Sequence, residues 1–139
     1  MKIKCIGNTG KYLSEKYLEN FKGDSIETLF NLTINEVYIV YGISLYNNTI
    51  SYLVSDELNS PFWQPAELFN IEDNLLPLEW YYNFFGYNDY LIALWGYKEL
   101  TLNFNHYEGL IEREQKDLEI FFKRKREIDE YEDLRKFIK

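Results

Sequence analysis

Residues 37–46 and 49–55 are two runs rich in β-branched and aromatic side chains, separated only by Asn47 and Asn48. Antiparallel strands accept so short a link only through a turn whose central residues take positive φ, a conformation asparagine tolerates. A two-residue type I′ connection sets Tyr46 opposite Thr49, Leu45 opposite Ile50, Ile43 opposite Tyr52 and Tyr41 opposite Val54. The six large apolar groups Tyr41, Ile43, Leu45, Ile50, Tyr52 and Val54 then share one face, and Ser44 and Ser51 pair on the other. A slip of one residue destroys that match, so turn chemistry and burial specify the same register.

The rest of the first hundred residues extends this antiparallel pattern. Residues 2–6 alternate as a strand, Gly7-Asn8-Thr9-Gly10 forms a turn, and Leu13, Tyr17 and Phe21, four apart, predict a short helix over 12–21. Ile26, Thr28, Phe30, Leu32 and Ile34 lie on one side of a period-two pattern and predict a strand. Residues 62–71 read as a strand entered through Pro61 and interrupted by Pro65. Proline cannot donate to a ladder, so that segment belongs at an edge or a bend. Residues 78–85 and 90–97 read as two further strands joined through Gly86-Tyr87-Asn88-Asp89; the first, aromatic on both sides, also admits a helix.

After Lys98 the period becomes helical. Tyr107, Leu110, Leu118, Phe121, Ile128 and Tyr131 continue one stripe. Asn105 stands in capping position with Glu108 three residues on, and Glu112/Lys116, Glu119/Lys123 and Glu132/Lys136 are i,i+4 pairs in the favourable order. The expectation is one domain over 1–139 with an α+β, mainly antiparallel β, fold. Residues 1–100 form a small bent sheet or an SH3-like β-barrel, and residues 101–139 an amphipathic helix or helix pair.

Charge narrows the choice of partner. The chain carries a net charge of −8, yet residues 112–139 hold nine acids and nine bases. No Lys or Arg occurs from 23 to 97, a stretch with ten carboxylates, among them Asp56, Glu57, Glu72, Asp73 and Asp89. Such a body steers encounter with a cationic partner. It lacks the basic face that nucleic acid requires, so none is expected as a partner. The same acidity also helps keep a chain of 19% aromatic residues dissolved. No apolar run approaches the ~18 residues of a membrane span, and the apolar part of 1–6 is too short for a signal peptide. A cytoplasmic location without membrane contact is therefore expected.

Catalytic chemistry finds little to stand on. One Cys and one His exclude a disulfide framework and most zinc sites, and no nucleophile elbow, phosphate loop or metalloprotease motif occurs. No catalytic residue, metal or cofactor is expected. His106 reads as a surface residue or cap neighbour, and Cys5 as a buried apolar thiol. Asp56-Glu57 and Glu72-Asp73 are adjacent acids in expected loops; nothing in the sequence sets the carboxylate separation that glycoside hydrolysis needs. Lys123-Arg124-Lys125-Arg126 stands among acids and reads as solvated ion pairs. The turn Tyr87-Asn88-Asp89-Tyr90 is the best contact candidate, because two tyrosines in one turn are hard to bury together. The loop at 55–60 is the next.

The order of motifs adds a resemblance. Val37-Tyr38-Ile39-Val40-Tyr41-Gly42-Ile43 is followed by Tyr52-Leu53-Val54-Ser55-Asp56, Pro61-Phe62-Trp63-Gln64-Pro65-Ala66-Glu67-Leu68-Phe69, Leu76-Pro77-x-x-Trp80 and Leu94-Trp95-Gly96-Tyr97. Over roughly residues 25–130 this resembles small bacterial proteins with SH3-like cores, some of them similar to immunity proteins of polymorphic or contact-dependent toxin systems. The motifs are mostly aromatic and structural, and no residue role is carried over from them. The resemblance implies a small, acidic, non-enzymatic cytoplasmic protein; joined to the base-free stretch from 23 to 97, it leads to the expectation that the chain occludes a basic toxin domain, a nuclease by preference. Asp56, Glu57, Glu72, Asp73 and Asp89 would supply charge, with Tyr87 and Tyr90 as anchors. Two other readings stand beside it: an SH3-like peptide-binding regulatory module, and a carboxylate-based hydrolase.

Overall fold

Asn47 and Asn48 adopt φ of 48° and 61° and close a tight hairpin between strands β3 (Gly42–Tyr46) and β4 (Thr49–Ser55). Its register is the expected one, with Tyr46 opposite Thr49, Leu45 opposite Ile50, Ser44 opposite Ser51 and Ile43 opposite Tyr52. The computed structural model to which these strands belong describes the backbone of residues 1–138 and the side chains of residues 1–136. Lys139, the end of the expected helical segment, lies outside the described residues.

The remaining elements are β1 (Lys2–Cys5), α1 (Glu15–Asn20), β2 (Val37–Ile39), β5 (Pro61–Pro65), β6 (Phe69–Asp73), β7 (Tyr81–Phe84) and β8 (Leu91–Gly96). Three helices end the chain: α2 (Lys98–Leu102), α3 (Phe104–Ile111) and α4 (Gln115–Ile138). The fold is α+β, with two antiparallel sheets in the orders β2-β1-β6 and β5-β4-β3-β8-β7. Neither closes into a barrel; β5 and β7 remain edges of the larger sheet. Residues 62–71 are divided at Pro65, where the chain leaves the edge strand β5, makes a 3-10 turn and enters β6 of the other sheet. Residues 81–84 of the ambiguous aromatic segment are strand.

Two hydrophobic cores lie on opposite sides of the five-stranded sheet. Tyr52 and Val54 of β4 pack with Ile3, Cys5, Tyr38 and Phe69 of the three-stranded sheet. Leu53, between them in sequence, points the other way, into a core with Leu94, Leu100, Leu110 and Phe121. Alternation along a strand produces this division. Strand β8 is interior, paired on both sides, and Leu91, Ile92, Ala93 and Leu94 are all buried, which accounts for its continuous apolar run. Gly42 and Gly96 sit opposite each other beneath Leu100, whose side chain occupies the space that a Cβ on either would need.

Several expectations are corrected. Residues 26–34 form turns with one isolated antiparallel bridge, Leu29 opposite Thr9, and not a strand: Thr28 N–H donates to Ser25 O, Leu32 N–H to Phe30 O, and the Ser25 and Thr28 hydroxyls accept from local backbone. These local bonds displace a ladder, and Ile26 and Ile34 are exposed. Tyr41 does not face Val54. The ladder ends at Gly42–Leu53, and Tyr41 turns into the helix-side core, where its hydroxyl donates to Asp129 at 2.6 Å. Asn103, not Asn105, caps α3, accepting from Asn105 N–H; its extended backbone is the break between α2 and α3. The ion pairs also differ from those expected. Arg113 at φ 62° separates α3 from α4, so Glu112 and Lys116 do not share a helix. Glu132 is drawn inward to the Met1 ammonium at 2.8 Å and to Arg135 at 3.0 Å.

Candidate functional site

The tight turns bring three of the seven sequence candidates to one end of the larger sheet. Gly86, at φ 116°, turns β7 into β8, and Tyr87, Asp89 and Tyr90 project from that turn, all exposed. Asn47 N–H donates to Tyr90 O at 2.7 Å, which joins this turn to the β3–β4 turn. The other four candidates lie elsewhere. Asp56 and Glu57 occupy the β4–β5 loop at the opposite end of β4, and Glu72 and Asp73 close β6 in the other sheet.

These four also differ in environment. Asp56 is buried and braces its own loop, its Oδ1 accepting from Leu58 and Ser60 N–H at 2.9 and 3.2 Å. Exposed Glu57 accepts from the Tyr38 hydroxyl. Asp73 is ion-paired to Arg135 at 3.0 Å, whereas Glu72 is exposed. No single surface therefore holds all seven residues.

Between the turns and α3 lies a cleft of about 620 Å³, lined by Tyr46, Tyr90, Phe104, Tyr107, Asp89 and Glu108 with their apolar neighbours. The stacked pair Tyr46–Tyr90, with ring centroids 6.0 Å apart, forms one wall, and Phe104–Tyr107 at 5.8 Å another. Burial, with Tyr46 and Glu108 adding, pushes the Tyr107 phenol up to about 12. No Lys or Arg lines this cleft. Sequence analysis marked Asp89 and Tyr90 through their turn, but Phe104 and Glu108 arrive from α3. Only the helical period after Lys98 points to them, and the cap it predicts, Asn105, lies two residues beyond the observed one, Asn103.

The alternate residues of β7 form a second aromatic surface. Tyr82 and Phe84 stand across from Trp95 and Ala93 and point away from the helices, to which Asn83 is tied through Thr101 O. Tyr82 lies 5.1 Å from Trp95, and Phe84 5.2 Å from Tyr87; Tyr82, Phe84 and Tyr87 are exposed.

The arrangement closest to a catalytic constellation is sealed. Tyr97 hydroxyl meets His106 Nε2 at 2.7 Å, and His106 Nδ1 meets Asp117 Oδ1 at 2.8 Å. His106 is 1% exposed, not the surface residue that its position at a helix start suggests. Both ring nitrogens are engaged, so the trio ties the start of α2 to α3 and α4. Cys5 is buried and donates to Gly7 O at 3.2 Å, and burial pushes its thiol up. Among the described residues no group of three or more His, Cys, Asp or Glu is arranged to hold a metal ion, and no helix is long and apolar enough to cross a membrane. Comparison with family models, curated proteins and solved structures finds no match.

Proposed function

We propose that this chain is a non-enzymatic, cytoplasmic binding protein of the immunity type, which neutralises a basic toxin domain, a nuclease by preference, by covering it. One observation carries the reading. Of the ten carboxylates between residues 23 and 97, only Asp73 has an ion-pair partner among the described residues. Of the seven lysines and arginines of α4, four are in ion pairs among the described residues: Arg124 with Glu99 and Glu127, Lys125 with Asp129, Lys136 with Asp133, and Arg135 with Glu132 and Asp73. The acidic potential of the β body is thus left to act on something outside the chain. Exposed aromatic rings on β7 and around the cleft supply the kind of anchor that protein interfaces favour.

The test is protection and kinetics together. Cells that produce a toxin domain encoded beside this chain should survive when the chain is co-produced, and the purified pair should co-elute. Reversing the exposed acids Glu72, Glu79 and Asp89 to lysine should slow association by about tenfold or more at low salt, with a smaller effect on dissociation. Absence of protection, or an association rate indifferent to both salt and charge reversal, overturns the reading.

A further inference from the structure

We infer that the cleft between the β3–β4 and β7–β8 turns and α3 seats an arginine-bearing segment of a protein partner, with the guanidinium against the rings and its charge met by Asp89 and Glu108. This rests on the reading above of a basic partner and assigns that partner a place on the chain. The cleft volume, about 620 Å³, falls within the range of preformed ligand clefts and exceeds what one side chain fills, so it accommodates a short stretch of chain.

Its chemistry selects the occupant. Exposed Tyr46, Tyr90 and Phe104 offer ring surfaces, and aromatic faces attract cations through their quadrupole. Asp89 and Glu108 are both exposed and take part in no ion pair or side-chain hydrogen bond among the described residues. A neutral or acidic segment seated here would remove water from two carboxylates and return nothing to them. Arginine suits the site better than lysine because a planar guanidinium stacks on a ring and still directs its N–H groups to a carboxylate. The cleft lining carries no cation to compete for those carboxylates.

The experiment titrates the isotopically labelled chain with an N-acetylated Gly-Arg-Gly-Arg-Gly amide and follows backbone amide resonances. Saturable shifts clustered at Tyr90, Leu91, Phe104 and Glu108 are expected. The peptide with citrulline in place of arginine should give no saturable shift. An Asp89→Asn, Glu108→Gln double variant, changed only at exposed positions, should weaken binding by about tenfold or more, and Tyr90→Ala should also weaken it. Shifts scattered over the chain, equal binding of the citrulline peptide or of a proline-rich peptide, or the same shifts on concentrating the chain alone would each overturn the inference. A toxin complex whose affinity is unchanged by the double variant overturns the cleft assignment and leaves the immunity reading standing. Specific peptide binding by a chain that neutralises no toxin supports the cleft and overturns the immunity reading instead.

Discussion

His106 has both ring nitrogens in hydrogen bonds, so replacing it leaves Tyr97 and Asp117 without partners inside the helical layer. His106→Ala should lower unfolding free energy by about 2–4 kcal/mol, read from urea denaturation, because an orphaned buried polar group adds to the lost volume. Gly109 belongs to the same site: Asp117 Oδ2 occupies the position a Cβ would take. Gly109→Ala should cost about 1–3 kcal/mol by overpacking, and in combination with Asp117→Ala less than the sum of the two, since the obstruction is then gone. None of this was legible from residue types. His106 and Asp117 are eleven positions apart on different helices, and only the Arg113 break folds α4 back so that they meet. Cys5 was legible, because an apolar thiol in an alternating strand has few alternatives.

The hairpin shows what an element-scale signal can specify. Asn48 sits at φ 61°, where glycine is at ease and a β-branched residue is strained. Asn48→Gly should be neutral to stabilising by a few tenths of a kcal/mol, whereas Asn48→Val should destabilise by about 1–2 kcal/mol; thermal melts of the two variants should move in opposite directions or differ by several degrees. Register was readable here because turn length and apolar alternation agreed. The same alternation misled over residues 26–34, where serine and threonine close local turns and leave Ile26 and Ile34 in solvent. For the candidate site, the β7–β8 turn was legible from its Gly-Tyr-Asn-Asp-Tyr composition. Its α3 wall was not, because pairing a turn with a helix is a matter of tertiary packing. The separation of Asp56-Glu57 and Glu72-Asp73 from that turn has the same cause: sheet topology, not sequence proximity, sets where acids gather.

Across the whole molecule, α4 joins the layers. Its buried positions pass from Phe121 and Ile128 to Glu132 and Arg135, which hold the Met1 ammonium and Asp73. Removing one member of a buried ionic cluster strands the others, so Glu132→Gln should destabilise by about 3–5 kcal/mol in denaturant titrations. Tyrosine burial sets the alkaline limit. Burial raises the phenols of Tyr17, Tyr41 and Tyr97 far above the ordinary tyrosine value, and pushes those of Tyr107 and of Tyr38, which also donates to Glu57, up to about 12. These groups favour the folded state fully below the unfolded tyrosine value of about 10, and that contribution is lost as pH rises through the folded values. The part of the tyrosinate absorbance that comes from these buried phenols should therefore appear above about pH 10 together with loss of ellipticity, in one cooperative step. The α+β class and the edge position of the proline-marked strand were legible at this scale; the expected barrel does not form, and the split into two sheets was not legible, since Pro65 announces a bend without saying that the chain changes sheet. Strand β8, which lies between β3 and the edge strand β7, bears on how the chain is made. During synthesis β3 and β4 leave the ribosome some forty residues before β8, and until it follows, the β3 edge stands open with its amides and carbonyls unmatched. That interval is when a nascent chain of this kind is most exposed to pairing with its neighbours, and a chaperone that shields β3 in those moments should raise the yield of folded protein more than any later intervention.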